Sequence, residues 1–120
     1  MAANNGIIYG KPENVNKALR TDPESDTVMQ IGSEGSGYYK WWHGVVASNG
    51  VIYGIPFNAN NVLRIDPDSD TATQIGSIGS DSYKWRHGVV ASNGVIYGIP
   101  SDANSVLRMD PDSDTVTQIG

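Results

Sequence analysis

Apolar residues in this chain fall in short clusters separated by turn-forming residues. Val45-Val46-Ala47, Val51-Ile52-Tyr53, Val62-Leu63 with Ile65, and Ala72 with Ile75 follow one another along the middle of the sequence. Between them lie Asn49-Gly50, the polar run Asn58 to Asn61, and Asp66-Pro67-Asp68-Ser69-Asp70. No segment keeps apolar residues at helical spacing over helical length, so no helix is expected. The clusters predict strands at about 43–48, 51–56, 62–66 and 71–75. Asn-Gly is the dipeptide favoured in two-residue hairpins. The Pro and Asp of the longer acidic segment set a turn.

This arrangement repeats. Asn5-Gly6-Ile7-Ile8-Tyr9-Gly10 returns as Asn49-Gly50-Val51-Ile52-Tyr53-Gly54 and as Asn93-Gly94-Val95-Ile96-Tyr97-Gly98, an offset of 44 residues each time. Leu19-Arg20, Asp22-Pro23 and Gln30-Ile31-Gly32 keep the same register in all three units. Lys40-Trp41-Trp42-His43-Gly44 matches Lys84-Trp85-Arg86-His87-Gly88 and occurs twice. Four antiparallel strands at a period of about 40–45 residues are the pattern of a β-propeller blade. The expected fold is therefore all-β, with residues 1–32 as a first blade, 33–76 as linker and second blade, and 77–120 as linker and third blade.

Gly44 to Gly54, followed by Val62-Leu63-Arg64-Ile65-Asp66, resembles blades of the NHL and YVTN-type repeats. The resemblance covers nearly the whole chain and implies the propeller fold rather than any one activity. Gly54 and Gly98 depart from it, standing where those families often carry a larger residue, and the Lys-Trp-x-His-Gly linker is not theirs.

Three blades alone would expose two apolar faces, more than a soluble monomer tolerates. The expected remedy is head-to-tail self-association into a closed ring. Two chains, giving six blades, are the favoured arrangement, and three chains, giving nine, the alternative. A piece of a longer repeat protein would show the same pattern. Met1 to Gly6 aligns with Val45 to Gly50, so a short first strand is expected there, and junctions between chains would lack the linker.

Composition narrows the partners. Eight Lys and Arg against 13 Asp and Glu give a net charge of −5, which disfavours nucleic acid and anionic membranes as partners. No apolar run reaches the length of a bilayer-spanning helix. The absence of Cys and of a secretory signal at the N-terminus makes the cytoplasm the default expectation for location.

Chemistry-bearing residues sort to the two ends of such a ring. The linkers and the loops between second and third strands share one end, with Lys40, Trp41, His43, Lys84, Trp85, His87 and the segments 13–17, 57–61 and 101–105. The acidic turns share the other. Trp41, Trp42, His43, Trp85, Arg86, His87, Asn58, Asn60 and Asn104 are therefore the candidate ligand-binding residues. Indole faces suit the C–H face of a sugar, with Tyr38, Tyr39 and Tyr83 extending the surface. A structural reading competes for most of these residues. Trp41 and Trp85 then wedge between blades with the indole N–H on backbone, and each His fixes its own linker. Trp42, replaced by Arg86 in the next unit, is expected to be exposed, since positions that vary among repeats are where function departs from scaffold.

Arg20, Arg64 and Arg108 are expected to pair with a carboxylate or carbonyl across a blade interface. Tyr9, Tyr53 and Tyr97 are expected in the interblade core with tethered hydroxyls. The acidic turns lack the Gly and bidentate Glu of a calcium loop and read as tight turns. No nucleophile–base–acid set, phosphate loop or metal cage is recognisable, so no catalytic residue, metal or cofactor is assigned. A non-catalytic binding ring, for a glycan, peptide, protein or other small ligand, is the leading expectation. A hydrolase-like propeller enzyme with a channel metal and a purely structural assembly protein are the alternatives.

Overall fold

A computed structural model describes residues 6–10, 18–32, 40–79 and 82–120, without the side chains of Ala18 and His43. The strands are β1 (Ile8–Gly10), β2 (Ala18–Asp22), β3 (Thr27–Ile31), β4 (Trp41–Val46), β5 (Ile52–Pro56), β6 (Val62–Asp66), β7 (Thr71–Ile75), β8 (Trp85–Val90), β9 (Ile96–Pro100), β10 (Val106–Asp110) and β11 (Thr115–Ile119). They form three antiparallel meanders, β1-β2-β3, β4-β5-β6-β7 and β8-β9-β10-β11. We refer to these as sheets 1, 2 and 3. Each neighbouring pair is a hairpin, which is why sequential strands also pair in space. The short first strand expected over residues 1–6 falls almost wholly outside the described residues.

Strand borders differ from the sequence expectation at one hairpin. β4 starts at Trp41 and ends at Val46, and β5 starts at Ile52. Ala47 and Val51 continue the pairing past these borders, leaving Ser48-Asn49-Gly50 as a three-residue loop rather than a two-residue Asn-Gly turn. Gly50 N–H donates to the Ala47 carbonyl at 2.9 Å, Ala47 N–H donates to the Val51 carbonyl at 2.9 Å, and Gly50 carries a φ of 87°. Asn49 stays out of the left-handed region, and its Oδ1 accepts the Val51 N–H at 3.0 Å. That is a turn closed by a left-handed glycine, the usual three-residue hairpin. Ala91, Asn93, Gly94 and Val95 repeat it.

The acidic turns are tight turns, as expected. Asp22, Asp66 and Asp110 each accept the backbone N–H two residues on through Oδ1 at 3.0 Å. Each turn ends on an aspartate in the left-handed region, Asp26, Asp70 and Asp114, with φ of 54°, 54° and 53°. Asp tolerates that conformation better than most residues.

Sheet 2 is covered on both faces. Trp41, Ile52, Leu63 and Ile65 meet Ile7, Tyr9 and Ile31 of sheet 1. Val45, Tyr53, Ile55 and Val62 meet Trp85, Ile96, Leu107 and Met109 of sheet 3. Alternation along each strand sends successive side chains to opposite sheets, so Ile52 and Tyr53 face different neighbours. Burying one such aliphatic side chain stabilises by about 1.5–3 kcal/mol. Gly54 is a packing requirement. A Cβ there would lie 2.9 Å from Leu63 Cβ and 3.3 Å from Trp41 Cγ. The departure from the larger residue of the NHL and YVTN-type pattern makes room for the tryptophan.

A polar junction tops each interface. Asp70 Oδ1 accepts from Tyr9 Oη at 2.6 Å and from Arg20 Nε at 2.8 Å. Asp114 Oδ1 accepts from Tyr53 Oη at 2.7 Å and from Arg64 Nε at 3.2 Å. Tyrosine and arginine come from one sheet and the carboxylate from the acidic turn of the next. The hydrogen bond from Tyr9, followed by the hydrogen bond and charge of Arg20, holds the Asp70 carboxyl below its ordinary range. Burial first, then the Asp114 carboxylate, pushes the Tyr53 phenol up to about 12.

Candidate functional site

The linker into β8 is pinned on both sides. Lys84 N–H donates to the Phe57 carbonyl at 2.8 Å, and Tyr83 N–H donates to Asn58 Oδ1 at 2.9 Å. Ile78 N–H donates to the Asn60 carbonyl at 2.9 Å. On its own sheet, the Tyr83 carbonyl accepts from Asp102 N–H at 2.8 Å and the Lys84 carbonyl from Ser101 N–H at 2.9 Å. The linker therefore crosses from the β5–β6 loop of sheet 2 to the β9–β10 loop of sheet 3. Tyr83 is held with a φ of 55°, an uncommon conformation for an aromatic residue that this bracketing maintains.

Just past each linker the first strand bulges. Trp41 pairs with Pro56 and His43 with Ile55, leaving Trp42 as the extra residue; Trp85, Arg86 and His87 repeat this against Pro100 and Ile99. A bulge re-aims a side chain out of the ordinary alternation. Trp42 and Arg86 occupy the same position in successive units, and the fold brings them together. The Arg86 guanidinium carbon lies 5.1 Å from the centre of the Trp42 ring and 5.4 Å from that of Phe57. Phe57 sits between two tilted aromatic partners, Trp42 at 4.9 Å and Tyr83 at 4.8 Å. The cluster joins sheets 2 and 3. Its cation–π contacts are each worth about 0.5–1 kcal/mol where exposed.

Phe57 is buried, Trp42 half-buried, and Tyr83 and Arg86 exposed. Aromatic surface beside a solvent-facing guanidinium offers stacking together with charged donors in one place. Such a surface suits a ring bearing hydroxyl or anionic groups.

The remaining sequence candidates separate. Trp41 and Trp85 are each 1% exposed, and their indole N–H groups donate to the Asn61 carbonyl at 2.9 Å and the Ser105 carbonyl at 2.8 Å. Neither offers a face to a ligand, which corrects their inclusion among ligand-binding candidates; burial in the intersheet cores took them out of reach. Trp42 is half-covered rather than fully exposed, because Phe57 and Arg86 cover it. Asn58 and Asn60 border the cluster as fasteners of the linker. His87 is exposed one residue along β8 from Arg86, and Asn104 is exposed on the β9–β10 loop. The His43 side chain, Tyr38, Tyr39 and segment 13–17 lie outside the described residues. Among the described residues, no three His, Asp or Glu side chains converge.

Among the sequence candidates, Tyr83 stands only as an extension of the aromatic surface and Phe57 only within segment 57–61 at the same end. The signal for Phe57 was in the repeat itself: it is the chain's single Phe, at a position held by Glu13 and Ser101 in the other units.

No protein-family model and no curated protein matches the chain. The likeness to NHL and YVTN-type repeats thus rests on the residues quoted for it. Solved structures do match. The chain is similar to the extracellular domain of a one component system from B. thetaiotaomicron, with a TM-score of 0.78 and 16% identity over 100% of this chain and 16% of that one. It is also similar to virginiamycin B lyase from Staphylococcus aureus, with a TM-score of 0.75 and 16% identity over 98% of this chain and 39% of the lyase. An auxiliary nutrient binding protein from Bacteroides thetaiotaomicron gives a TM-score of 0.66 and 17% identity over 96% of this chain and 33% of that one. The chain is all-β and propeller-like, and it spans well under half of each of these structures.

Proposed function

We propose that the three sheets are blades of a propeller ring and that the chain is a non-catalytic binding module. Its ligand seat is the surface formed by Trp42, Tyr83 and Arg86, supported from beneath by the buried Phe57. The observation that carries this reading is Arg86 of one sheet lying over both Trp42 and Phe57 of its neighbour. Scaffold residues keep their identity from unit to unit here, whereas positions 42 and 86, and positions 13, 57 and 101, do not. A glycan fits the chemistry: the rings take its C–H face, and the guanidinium takes hydroxyl or carboxylate oxygens. The similar folds include both a nutrient binding protein and a lyase, so fold alone does not separate binding from catalysis.

Glycan-array binding by the wild-type chain, followed by titration of Trp42→Ala and Arg86→Ala against the best ligand, tests the reading. The expected result is a loss of about tenfold or more for each variant, the scale of a stacking or charged contact. Binding that both substitutions leave unchanged, or none across neutral and acidic glycans, rules it out.

A further inference from the structure

The two polar junctions inside the chain follow one rule. The tyrosine and arginine of one unit reach the last aspartate of the next unit's acidic turn, Tyr9 and Arg20 to Asp70, then Tyr53 and Arg64 to Asp114. Applied once more, the rule leaves three groups over. Tyr97 and Arg108 of sheet 3 have the positions of Tyr53 and Arg64 but no carboxylate among the described residues. Asp26 of sheet 1 has the position of Asp70 and Asp114 and the same left-handed backbone, with a φ of 54°, yet no described tyrosine or arginine reaches it. The apolar surface is left over in the same sense. Val89 and Ile99 on the free face of sheet 3 are exposed where Val45 and Ile55 are buried. Ile8 and Leu19 on the free face of sheet 1 are exposed where Ile52 and Leu63 are buried. One end of the chain carries donors and the other an acceptor, each beside the apolar side chains that internal junctions bury.

We infer that the occupant of these faces is another copy of this chain. Sheet 1 of one copy docks on sheet 3 of the next, and Asp26 accepts hydrogen bonds from Tyr97 Oη and Arg108 Nε across the junction. The contact is head-to-tail, so it closes only as a ring. This inference rests on the blade reading above and is independent of any ligand. The negative acceptor and positive donor also set the register, because any other pairing of the two faces leaves a charge without its partner.

Light scattering on the purified 120-residue chain, with circular dichroism alongside, tests it. The expected mass is two or three times the 12.8 kDa chain mass. Asp26→Arg and Arg108→Asp, each alone, put like charges at the junction and weaken assembly by about a hundredfold or more, with the β-sheet spectrum retained. In a ring of two, an equimolar mixture of the variants recovers the wild-type mass, since every junction again joins opposite charges. In a ring of three, one like-charged junction remains and the mixture does not recover. A wild-type chain that stays monomeric with an intact β-sheet spectrum overturns the inference, as does assembly that ignores both charge reversals. Loss of the β-sheet spectrum in the wild type would instead strike the blade reading. Asp114→Asn, at an internal junction, lowers stability without changing the mass and separates fold effects from assembly effects.

Discussion

Sheet 2 and the free faces of sheets 1 and 3 are built from nearly the same residues, yet they behave as core and surface. Ile55 is 0% exposed and its repeat counterpart Ile99 is 47% exposed; Leu63 is 0% exposed and Leu19 40%. Strand, register and side chain are the same in each pair. What differs is whether a sheet stands opposite. The energetic weight of a residue in this protein is therefore set by its place in the stack, more than by its local sequence.

The largest expected break in that comparison is at the aliphatic core. Leu63→Ala costs about 2–5 kcal/mol in denaturant unfolding, whereas Leu19→Ala in the unassembled chain costs under about 1 kcal/mol, since little covers it. Repeating both at protein concentrations that drive assembly sharpens the contrast. If sheet 1 acquires a neighbour, the cost of Leu19→Ala rises toward that of Leu63→Ala.

Next come the glycines at the matching strand position. Gly54→Ala destabilises by about 1–3 kcal/mol through overpacking. Gly10→Ala is close to neutral, because its Cβ would meet Leu19 Cβ at an ordinary 3.7 Å. Equal effects in thermal unfolding would falsify the idea that the tryptophan and the leucine beneath it demand a glycine.

The polar junctions give smaller effects. Tyr53→Phe removes the hydroxyl bonded to Asp114 and costs about 1 kcal/mol, reduced by the partial exposure of that carboxylate. Tyr97→Phe leaves the isolated chain unchanged in the same unfolding assay.

The smallest effects are those of pH. The folded pKa of Asp70 is depressed, so its contribution is present above the ordinary aspartate range and is lost as pH falls through the folded value. The folded pKa of Tyr53 is raised, so its contribution is present below the ordinary phenol value near 10 and is lost as pH climbs toward about 12. Melting temperature followed across acid and alkali checks both directions. Phenolate absorbance checks that Tyr53 ionises later than an exposed tyrosine.

Much of the architecture was legible in the chain because the period repeats every local signal. Val62 to Asp66 and Thr71 to Ile75 are strands at the predicted borders, since a Pro-Asp turn between two short apolar runs leaves little freedom. The interface roles of Arg20, Arg64, Tyr9 and Tyr53 were also readable, because an arginine or tyrosine set among aliphatic strand residues needs a polar partner. The Asn-Gly hairpin loop is one residue longer than the dipeptide predicts. The dipeptide serves two loop geometries, and the bond from Val51 N–H to the Asn49 side chain selects the longer. The candidate site was only half legible. Trp42 and Arg86 stood out by variation between units, but nothing local showed that a bulge would turn both toward the same place, or that Phe57 would lie beneath them.

Periodicity, turn chemistry and strand alternation determined by sequence alone that this protein is a row of antiparallel β-meanders, because those signals act over a few residues. Which Leu or Ile is core, which aspartate answers which arginine, and which aromatic residues remain open to solvent were decided only by the stacking of sheet on sheet. Burial and ion pairing are properties of two surfaces brought together, and a single repeat contains one of them.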